Sequence, residues 1–425
     1  MVFLNSPVLM YGYRLEDGRV SGNMKNNALM RILTAGVVIA GSAGSALAAE
    51  TKPLTIEVSA NALYDSNVVR GSDASADSRG LDKEDVKFAP TVDVTLNRSL
   101  GRHSLTAVGS LGYEFYLHNT RLNRERLKAD VNLGMRLPFC AADLRSSVAR
   151  RQSDLADIGV IPGDEEASSD NAETYLSAGA SVSCGGAVGF RPTAIVDWSR
   201  ASNSAEIRKN SDNTSFSYGG GVQYTQPAIG DITFYIGRRE VRYPNRDIIL
   251  TPAIQRYNQS RYGVIVSRDV GSRVKLDGEV MYTRATFEGG VEPFSGVNWR
   301  LGATVSFAQL QLNAETSRSI DPSLGFIANY VLQTNNSLTA SYYINPRLSA
   351  SLGGQISVRD YNYDPSVIEV RILHDNIKRI RLALAYTATP RISIGLSGTY
   401  QKRDADGVFY DYDGYQIGFS ARTKF

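Results

Sequence analysis

The sequence has few of the residues on which several classes of protein depend. Its 425 residues include two cysteines and three histidines, and these lack the spacing of metal ligands, so we expect neither metal nor cofactor. Lysine and arginine exceed aspartate and glutamate by only three, so the basic surplus of a nucleic-acid-binding protein is missing. Beyond the N-terminal region, no stretch approaches the roughly 20 apolar residues of a transmembrane helix.

Catalytic signatures are missing as well. His103, His118 and His374 fall in a turn or at predicted strand ends, and no nucleophile motif accompanies them. No glycine-rich phosphate loop opens a helix, and no metalloprotease motif is present. We therefore predict no catalytic residues and no enzymatic activity.

The N-terminal region has the features of a targeting segment. Residues 24–48 contain a positive end, an apolar core and the small-residue cleavage motif Ala46-Leu47-Ala48, which together predict a secretory signal peptide. Residues 1–23 precede a normal signal, so we interpret them as a mis-assigned upstream start or a disordered segment. Removing the first 48 residues leaves residues 49–425 as one domain with a net charge of about +1.

The last eleven residues alternate between two kinds of side chain. Tyr415, Ile417, Phe419, Ala421, Thr423 and Phe425 share one face of a predicted strand, and polar residues or glycine occupy the other. Such a strand edge invites aggregation in water. Lipid on the apolar face, water on the polar face and pairing with another strand would remove that problem. The pattern therefore predicts one strand of a transmembrane β-barrel.

Similar segments of about ten residues fill the mature chain, beginning with Leu54 to Tyr64. Short turns containing Pro or Gly alternate with longer polar loops, as in outer-membrane barrels. The hairpin count predicts an all-β fold, a transmembrane antiparallel β-barrel of about 18 strands in the bacterial outer membrane. The first and last strands should close it. A soluble sandwich or propeller is the alternative, but it would not need alternate faces that are so uniformly apolar.

The two cysteines fall at corresponding ends of predicted neighbouring strands. Cys140 opens the fifth strand and Cys184 closes the sixth. In an oxidising compartment this arrangement favours a disulfide. Two unpaired small residues are the alternative.

The inward-facing positions carry charges that we expect to line an aqueous lumen. A basic excess there favours anions, whereas lateral pairing between neighbouring strands would have no meaning for transport. The predicted basic pore-lining residues are Arg136, Arg191, Arg239, Arg261, Arg300, Arg359, Arg379, Arg381, Arg391 and Arg422. The predicted acidic ones are Glu114, Asp130, Asp277, Glu279 and Glu315.

Expected partners follow from the predicted location. They are outer-membrane lipids, lipopolysaccharide and the barrel-assembly machinery, for which Phe419 and Phe425 form the predicted insertion signal. The acidic loop from Asp154 to Glu173 has hard oxygen ligands suited to Ca²⁺ or to bridging lipopolysaccharide through divalent ions. A merely solvated loop is the simpler interpretation of the same residues.

The mature chain resembles the β-barrel porin type 2 family of bacterial outer-membrane proteins. The resemblance rests on Ala62-Leu63-Tyr64-Asp65-Ser66-Asn67-Val68-Val69-Arg70, on the repeated hairpins and on the closing Phe419 and Phe425. The resemblance implies a diffusion channel. It also implies polysaccharide export with periplasmic export components, because a number of family members accompany capsule or exopolysaccharide secretion systems.

Three functional hypotheses remain open at this stage. The first is a porin whose basic lumen exports an anionic exopolysaccharide. The second is a general diffusion porin for small anionic nutrients. The third is a non-conducting adhesin or structural barrel whose pore is blocked by inward-folded loops.

Overall fold

A computed structural model describes residues 53–153, 155, 170–245, 255–288, 292–322, 328–363, 373–407 and 410–425. The predicted upstream segment, the signal peptide and most of the acidic loop after Asp154 lie outside these residues. Within them, 18 strands form one antiparallel sheet. Within the same residues, no helix has the length and apolar composition needed to cross a bilayer.

The strands follow one another in the sheet in chain order. They are β1 Leu54–Asp65, β2 Asp85–Leu100, β3 His103–Tyr116, β4 Arg124–Arg136, β5 Cys140–Gln152, β6 Ala172–Cys184, β7 Gly189–Asn203, β8 Asn213–Gln226, β9 Gly230–Arg242, β10 Arg256–Val270, β11 Val274–Phe287, β12 Phe294–Ser306, β13 Leu310–Pro322, β14 Ala328–Asn345, β15 Leu348–Tyr363, β16 His374–Thr389, β17 Ile392–Ala405 and β18 Tyr412–Lys424. Among the described residues, helix α1 Asp73–Arg79 and the 3-10 turns Thr120–Leu122 and Glu206–Ser211 lie in connections.

The first and last strands close the sheet into a barrel. β1 pairs with β2 on one side and with β18 on the other, and Ala60 lies opposite Ala421. The terminal Phe425 N–H donates to the Ile56 carbonyl at 2.8 Å. Closure leaves neither terminal strand with an unpaired edge, which is the condition for crossing a bilayer with strands. The predicted fold class, the strand number and the pairing of the closing strand with β1 are confirmed.

The outer face is apolar because each strand alternates with a period of two. Leu111, Phe234 and Ile417 are 60%, 60% and 53% exposed, and comparable side chains surround the barrel. A water-soluble protein rarely exposes so large a contiguous apolar surface. Hydrocarbon is the solvent that suits this surface.

The two ends of the barrel differ in their connections. The start of β1 and the end of β18 lie at the end with short turns, where Gly101 and Gly271 adopt the left-handed conformation with φ of 66° and 64°. A residue with a side chain rarely adopts that conformation, so glycine suits these tight turns. Longer connections, including the one that contains α1, lie at the opposite end.

Candidate functional site in the barrel lumen

The strand register places nearly all of the predicted pore-lining residues on the inner face. The basic ones on this face are Arg136, Arg191, Arg239, Arg261, Arg300, Arg359, Arg379, Arg381 and Arg422. The acidic ones are Glu114, Asp130, Asp277, Glu279 and Glu315. Arg391 differs, because it is an exposed residue of the turn between β16 and β17.

A buried carboxylate joins three strands of the inner wall. Asp375 of β16 is fully buried and accepts hydrogen bonds from Arg359 of β15, with Nε and Nη2 at 2.7 and 2.6 Å from its oxygens. Arg403 of β17 donates to the same carboxylate from Nε at 2.9 Å and Nη2 at 2.5 Å. The Tyr361 hydroxyl adds a third donor at 3.1 Å. The shared carboxylate joins the three strands and offsets one of the two arginine charges.

Other charges also pair along the wall. Lys87 lies 3.0 Å from Glu114. Arg145 reaches across Gly179 to Asp197, where an added Cβ would lie 2.1 Å from the Asp197 carboxylate. A side chain at position 179 would therefore obstruct this pair. Lateral pairing thus accounts for part of the charge inside the barrel.

An aromatic side chain covers a second glycine of the inner wall. Tyr235 of β9 lies over Gly263 of β10, so that an added Cβ would lie 2.7 Å from the tyrosine ring. The Tyr235 hydroxyl then donates to Glu279 of β11. Together with Ile265 and Met281, Tyr235 forms a small buried cluster inside the lumen. Close passage of the ring over the backbone explains why glycine occupies position 263.

Sequence analysis missed several acidic residues of the lumen. Asp143, Asp231 and Asp375 occupy inner-face positions in the register. Arg126 and Arg403 also occupy inner-face positions that were not predicted, so the missed residues carry charge of both signs. Asp143 and Asp231 alternate with the outward Leu144 and Ile232, which could have identified them, whereas Asp375 lies between His374 and Asn376 and has no such signal.

Two arginines stand apart from the paired charges. Arg239 is 7% exposed and donates from Nε to the Ser215 hydroxyl at 2.9 Å. Arg261 on the adjacent strand faces Gly237 and Thr283, and its buried Nε has no hydrogen-bond partner. Within the described residues, neither guanidinium forms an ion pair with a carboxylate. Neither guanidinium is held by a direct carboxylate contact there, but Arg261 lies close enough to Asp197 and Glu279 to interact with both electrostatically.

The end of the β13–β14 hairpin bends over the mouth of the barrel. Pairing between β12 and β13 stops at Trp299 and Arg318. Beyond that point, residues 319–322 and 330–332, here called the hairpin tip, leave the wall. Ile320 of the tip is 1% exposed and packs with Tyr257 and other inner-face residues of β9 to β11. The side of Ile320 that has outward parity therefore lies against the inner face of β9 to β11.

Stacked rings extend this contact. Tyr330 of the hairpin tip stacks on Phe287 with ring centroids 5.3 Å apart and meets Phe294 edge-on at 5.7 Å. Phe287 in turn stacks on Tyr257 at 5.1 Å. Such ring pairs add stabilisation beyond their buried area. The hairpin tip is therefore held in place over one side of the opening.

A second cap covers the mouth beside β1 to β4. The first-loop cap, residues 66–84 and 117–123, has its own apolar core around Val69 and Leu122, which are 0% and 1% exposed. Tyr116, an inner-face residue of β3, packs against this core. The two caps together narrow the end of the barrel that carries the long connections.

The motif that carries the family resemblance builds the base of the first-loop cap. Asn67 donates through Nδ2 to the carbonyls of Gly71 at 3.0 Å and Asp413 at 3.1 Å, which joins the loop to β18. Arg70 adopts the left-handed conformation with φ of 55° and forms an ion pair with Asp65 at 2.5 Å. The motif therefore has a structural role at the closing seam of the barrel.

The short-turn end carries the two cysteines. Cys140 and Cys184 lie opposite each other on β5 and β6 and are joined by a disulfide with an S–S distance of 2.08 Å. Within the described residues, no three His, Cys, Asp or Glu side chains converge as metal ligands. The chemistry that this lumen offers is therefore charge and hydrogen bonding.

The fold and its two faces define a class of protein. An apolar exterior, a polar interior and a closed antiparallel sheet of 18 strands are the properties of a bacterial outer-membrane β-barrel. The predicted outer-membrane location follows from the same observations.

Comparisons with known proteins add little to this assignment. No family model and no curated protein sequence matches the chain. Among solved structures, OpdL of Pseudomonas aeruginosa is 12% identical, with a TM-score of 0.45 over 88% of this chain and 98% of that one. OccK2 (OpdF) of the same organism is 12% identical, with a TM-score of 0.46 over 88% and 97%. A BenF-like porin from Pseudomonas fluorescens Pf-5 is 11% identical, with a TM-score of 0.46 over 88% and 99%. At these values we transfer no residue role and no substrate to this chain.

Proposed function

We propose that the protein is an outer-membrane porin that admits small anionic solutes. The observation that carries this proposal is the presence of Arg239 and Arg261 side by side on the inner wall without a carboxylate partner among the described residues. A cationic side chain inside a confined aqueous path raises the local concentration of anions. The porin needs no cofactor and no catalytic residue for this activity.

The polarity of the inner wall supports an aqueous interior. Arg261, Arg379 and Arg381 face inward, and each keeps part of its surface exposed. Moving a charged group out of water is costly, so charged side chains favour positions that water can reach. The partial exposure of these guanidinium groups therefore supports water on the inner face.

A second basic feature lies on β16. Arg379 donates to the Gln401 side-chain carbonyl from Nε at 2.9 Å and Nη2 at 2.7 Å, and Gln355 accepts from Nη1 at 3.4 Å. Arg381 is the next inward residue of the same strand. The neutral amides orient the Arg379 guanidinium while leaving its charge unchanged. Carboxylate or phosphate groups of a passing solute suit such fork-shaped donors.

The two caps favour small solutes over a polymer. The hairpin tip and the first-loop cap both narrow the mouth and have buried cores. Displacing either cap would expose the side chains that it now buries. Polysaccharide export depends on the family resemblance alone, and the structure offers no contact in its favour.

Planar-bilayer recording tests the proposal. The wild-type protein should open in discrete steps, and its reversal potential in a salt gradient should have the sign of an anion-preferring channel. The variant Arg239→Gln/Arg261→Gln should shift that potential toward the unselective value. The control Arg150→Gln should not, because Arg150 lies on the outer wall in a pair with Glu125 at 2.5 Å.

Two results would overturn the proposal. A protein that inserts but never conducts would be a blocked barrel. A conducting protein with the same reversal potential in wild type and double variant would show that Arg239 and Arg261 do not face the conducting path.

A further inference from the structure

The outer wall of β9 to β11 carries a row of polar residues above its apolar belt. Arg238, Ser260, Arg284 and Ser295 lie side by side in the register of β9, β10, β11 and β12. The side chains of all four residues point outward, away from the lumen. They line an open cavity of about 480 Å³ together with side chains from the rows above and below. This cavity lies outside the channel.

The rows below the cavity show where it lies relative to the membrane. Tyr262 and Tyr282 form the row directly beneath and are 55% and 47% exposed. Below them, Phe234 and Val280 expose 60% and 47% of their surface. Tyrosines next to an apolar band lie at the level of lipid headgroups. The arginine row is therefore at the height of headgroup phosphates, at the end of the barrel that carries the long connections.

Charge accumulates around this cavity. Arg242 and Arg256 lie two rows above Arg238 and Arg284 on the same outer face. Their carboxylate neighbours are Glu240, 3.9 Å from Arg242, and Glu288, 3.3 Å from Arg256. With Glu240 also 3.4 Å from Arg238, three of the four arginines pair with only two carboxylates.

One of these arginines is free within the described part of the chain. Arg284 is exposed and forms neither a hydrogen bond nor an ion pair with any described residue. Elsewhere on the outer wall charges pair more closely, as in Arg150 with Glu125 at 2.5 Å and Lys402 with Asp404 at 2.7 Å. The β9–β11 patch is thus a region of excess positive charge at the membrane surface.

We propose that Arg238 and Arg284 bind the phosphate of a phosphorylated outer-leaflet lipid, with Ser260 between them as an additional hydrogen-bond donor. The acyl chains of the lipid lie along the apolar rows that include Phe234 and Val280. Arginine forks match phosphate oxygens, and each basic residue near a headgroup adds about 1 kcal/mol of attraction. The site is independent of the lumen, so its failure would leave the proposed porin function standing.

Native mass spectrometry of the detergent-purified full chain tests the site. The probes are bis-phosphorylated lipid A, the same lipid with both phosphates removed, and inorganic phosphate. We expect the wild type to retain the phosphorylated lipid. The variant Arg238→Gln/Arg284→Gln should bind it about 30-fold more weakly, because it lacks two contacts of about 1 kcal/mol each. The control Arg150→Gln should retain the lipid like the wild type, and circular dichroism should show that each variant forms the barrel.

Four outcomes would overturn the proposal. Equal retention of the two lipid forms would show that the phosphates are not recognised. Equal retention by wild type and double variant would place the lipid elsewhere. If inorganic phosphate bound as tightly as the lipid, the site would be one for free anions. If the wild type formed a particle of two or more chains that dissociated only in the double variant, the patch would be a contact between copies of the chain.

Discussion

Replacing Asp375 by asparagine should destabilise the barrel strongly. The Asp375 carboxylate is fully buried, and the side chains of Arg359 and Arg403 that it holds are 5% and 3% exposed. Asparagine keeps the shape but removes the charge, which leaves two guanidinium groups buried without their counterion. Breaking a buried ion pair in this way costs about 3–5 kcal/mol. The folded-to-unfolded ratio should fall by about two to four orders of magnitude.

Urea unfolding of the protein in lipid vesicles measures this loss. The two tryptophans, Trp198 and Trp299, lie on β7 and β12 and report on the barrel through their fluorescence. The matched control is Asp404→Asn, because Asp404 pairs with Lys402 on the outer wall and both side chains are about half exposed. Exposed pairs contribute little, so the control should unfold like the wild type. Equal unfolding midpoints for Asp375→Asn and the control would refute the buried triad.

Three further predictions concern other parts of the wall. Gly263→Val should displace Tyr235 from its position over the backbone and change the single-channel conductance; an unchanged conductance would argue against that packing. Cys140→Ser should abolish the gel-mobility difference between reduced and oxidised protein, because Cys140 and Cys184 form the one disulfide that the sequence permits. Deletion of Phe425 should reduce the heat-modifiable folded fraction in the outer membrane more than the conductance of the molecules that do assemble; normal assembly would contradict its role as an insertion signal.

The period of two explains why the sequence predicts so much of this fold. A strand between lipid and water must alternate, and the alternation near Leu54 and Ile417 identifies the two strands that close the barrel. The same rule places fourteen of the fifteen predicted pore-lining residues on the inner face. It does not apply to Arg391, because a turn interrupts the alternation there.

The rule is weakest where outward positions are polar. β13 and β14 are the clearest case. On these strands Thr316 and Asn336 face outward and hydrogen-bond each other at 2.8 Å, which interrupts the apolar face that Leu338 and Tyr342 form nearer the short-turn end. The hairpin tip that follows bends away from the wall. Its packing on Tyr257 depends on contacts between distant strands, which a single sequence does not encode in its periodicity.

For a related reason, the sequence does not predict which charged side chains pair across strands in the lumen. Arg145 and Asp197 lie two strands apart and meet across Gly179. Only the register shows that a glycine separates them and lets one side chain reach the other. The sequence therefore predicts which residues face the lumen, but not which charges are already neutralised there.

The flux of matched solutes into liposomes tests the central claim most directly. Galacturonate and galactose have nearly the same size and differ in one negative charge. We predict that the wild-type protein passes galacturonate faster, that Arg239→Gln/Arg261→Gln removes this preference, and that a galacturonate polymer does not enter. Equal rates for the two sugars in the wild type would contradict an anion-selective porin. Rapid entry of the polymer would favour polysaccharide export over the passage of small solutes.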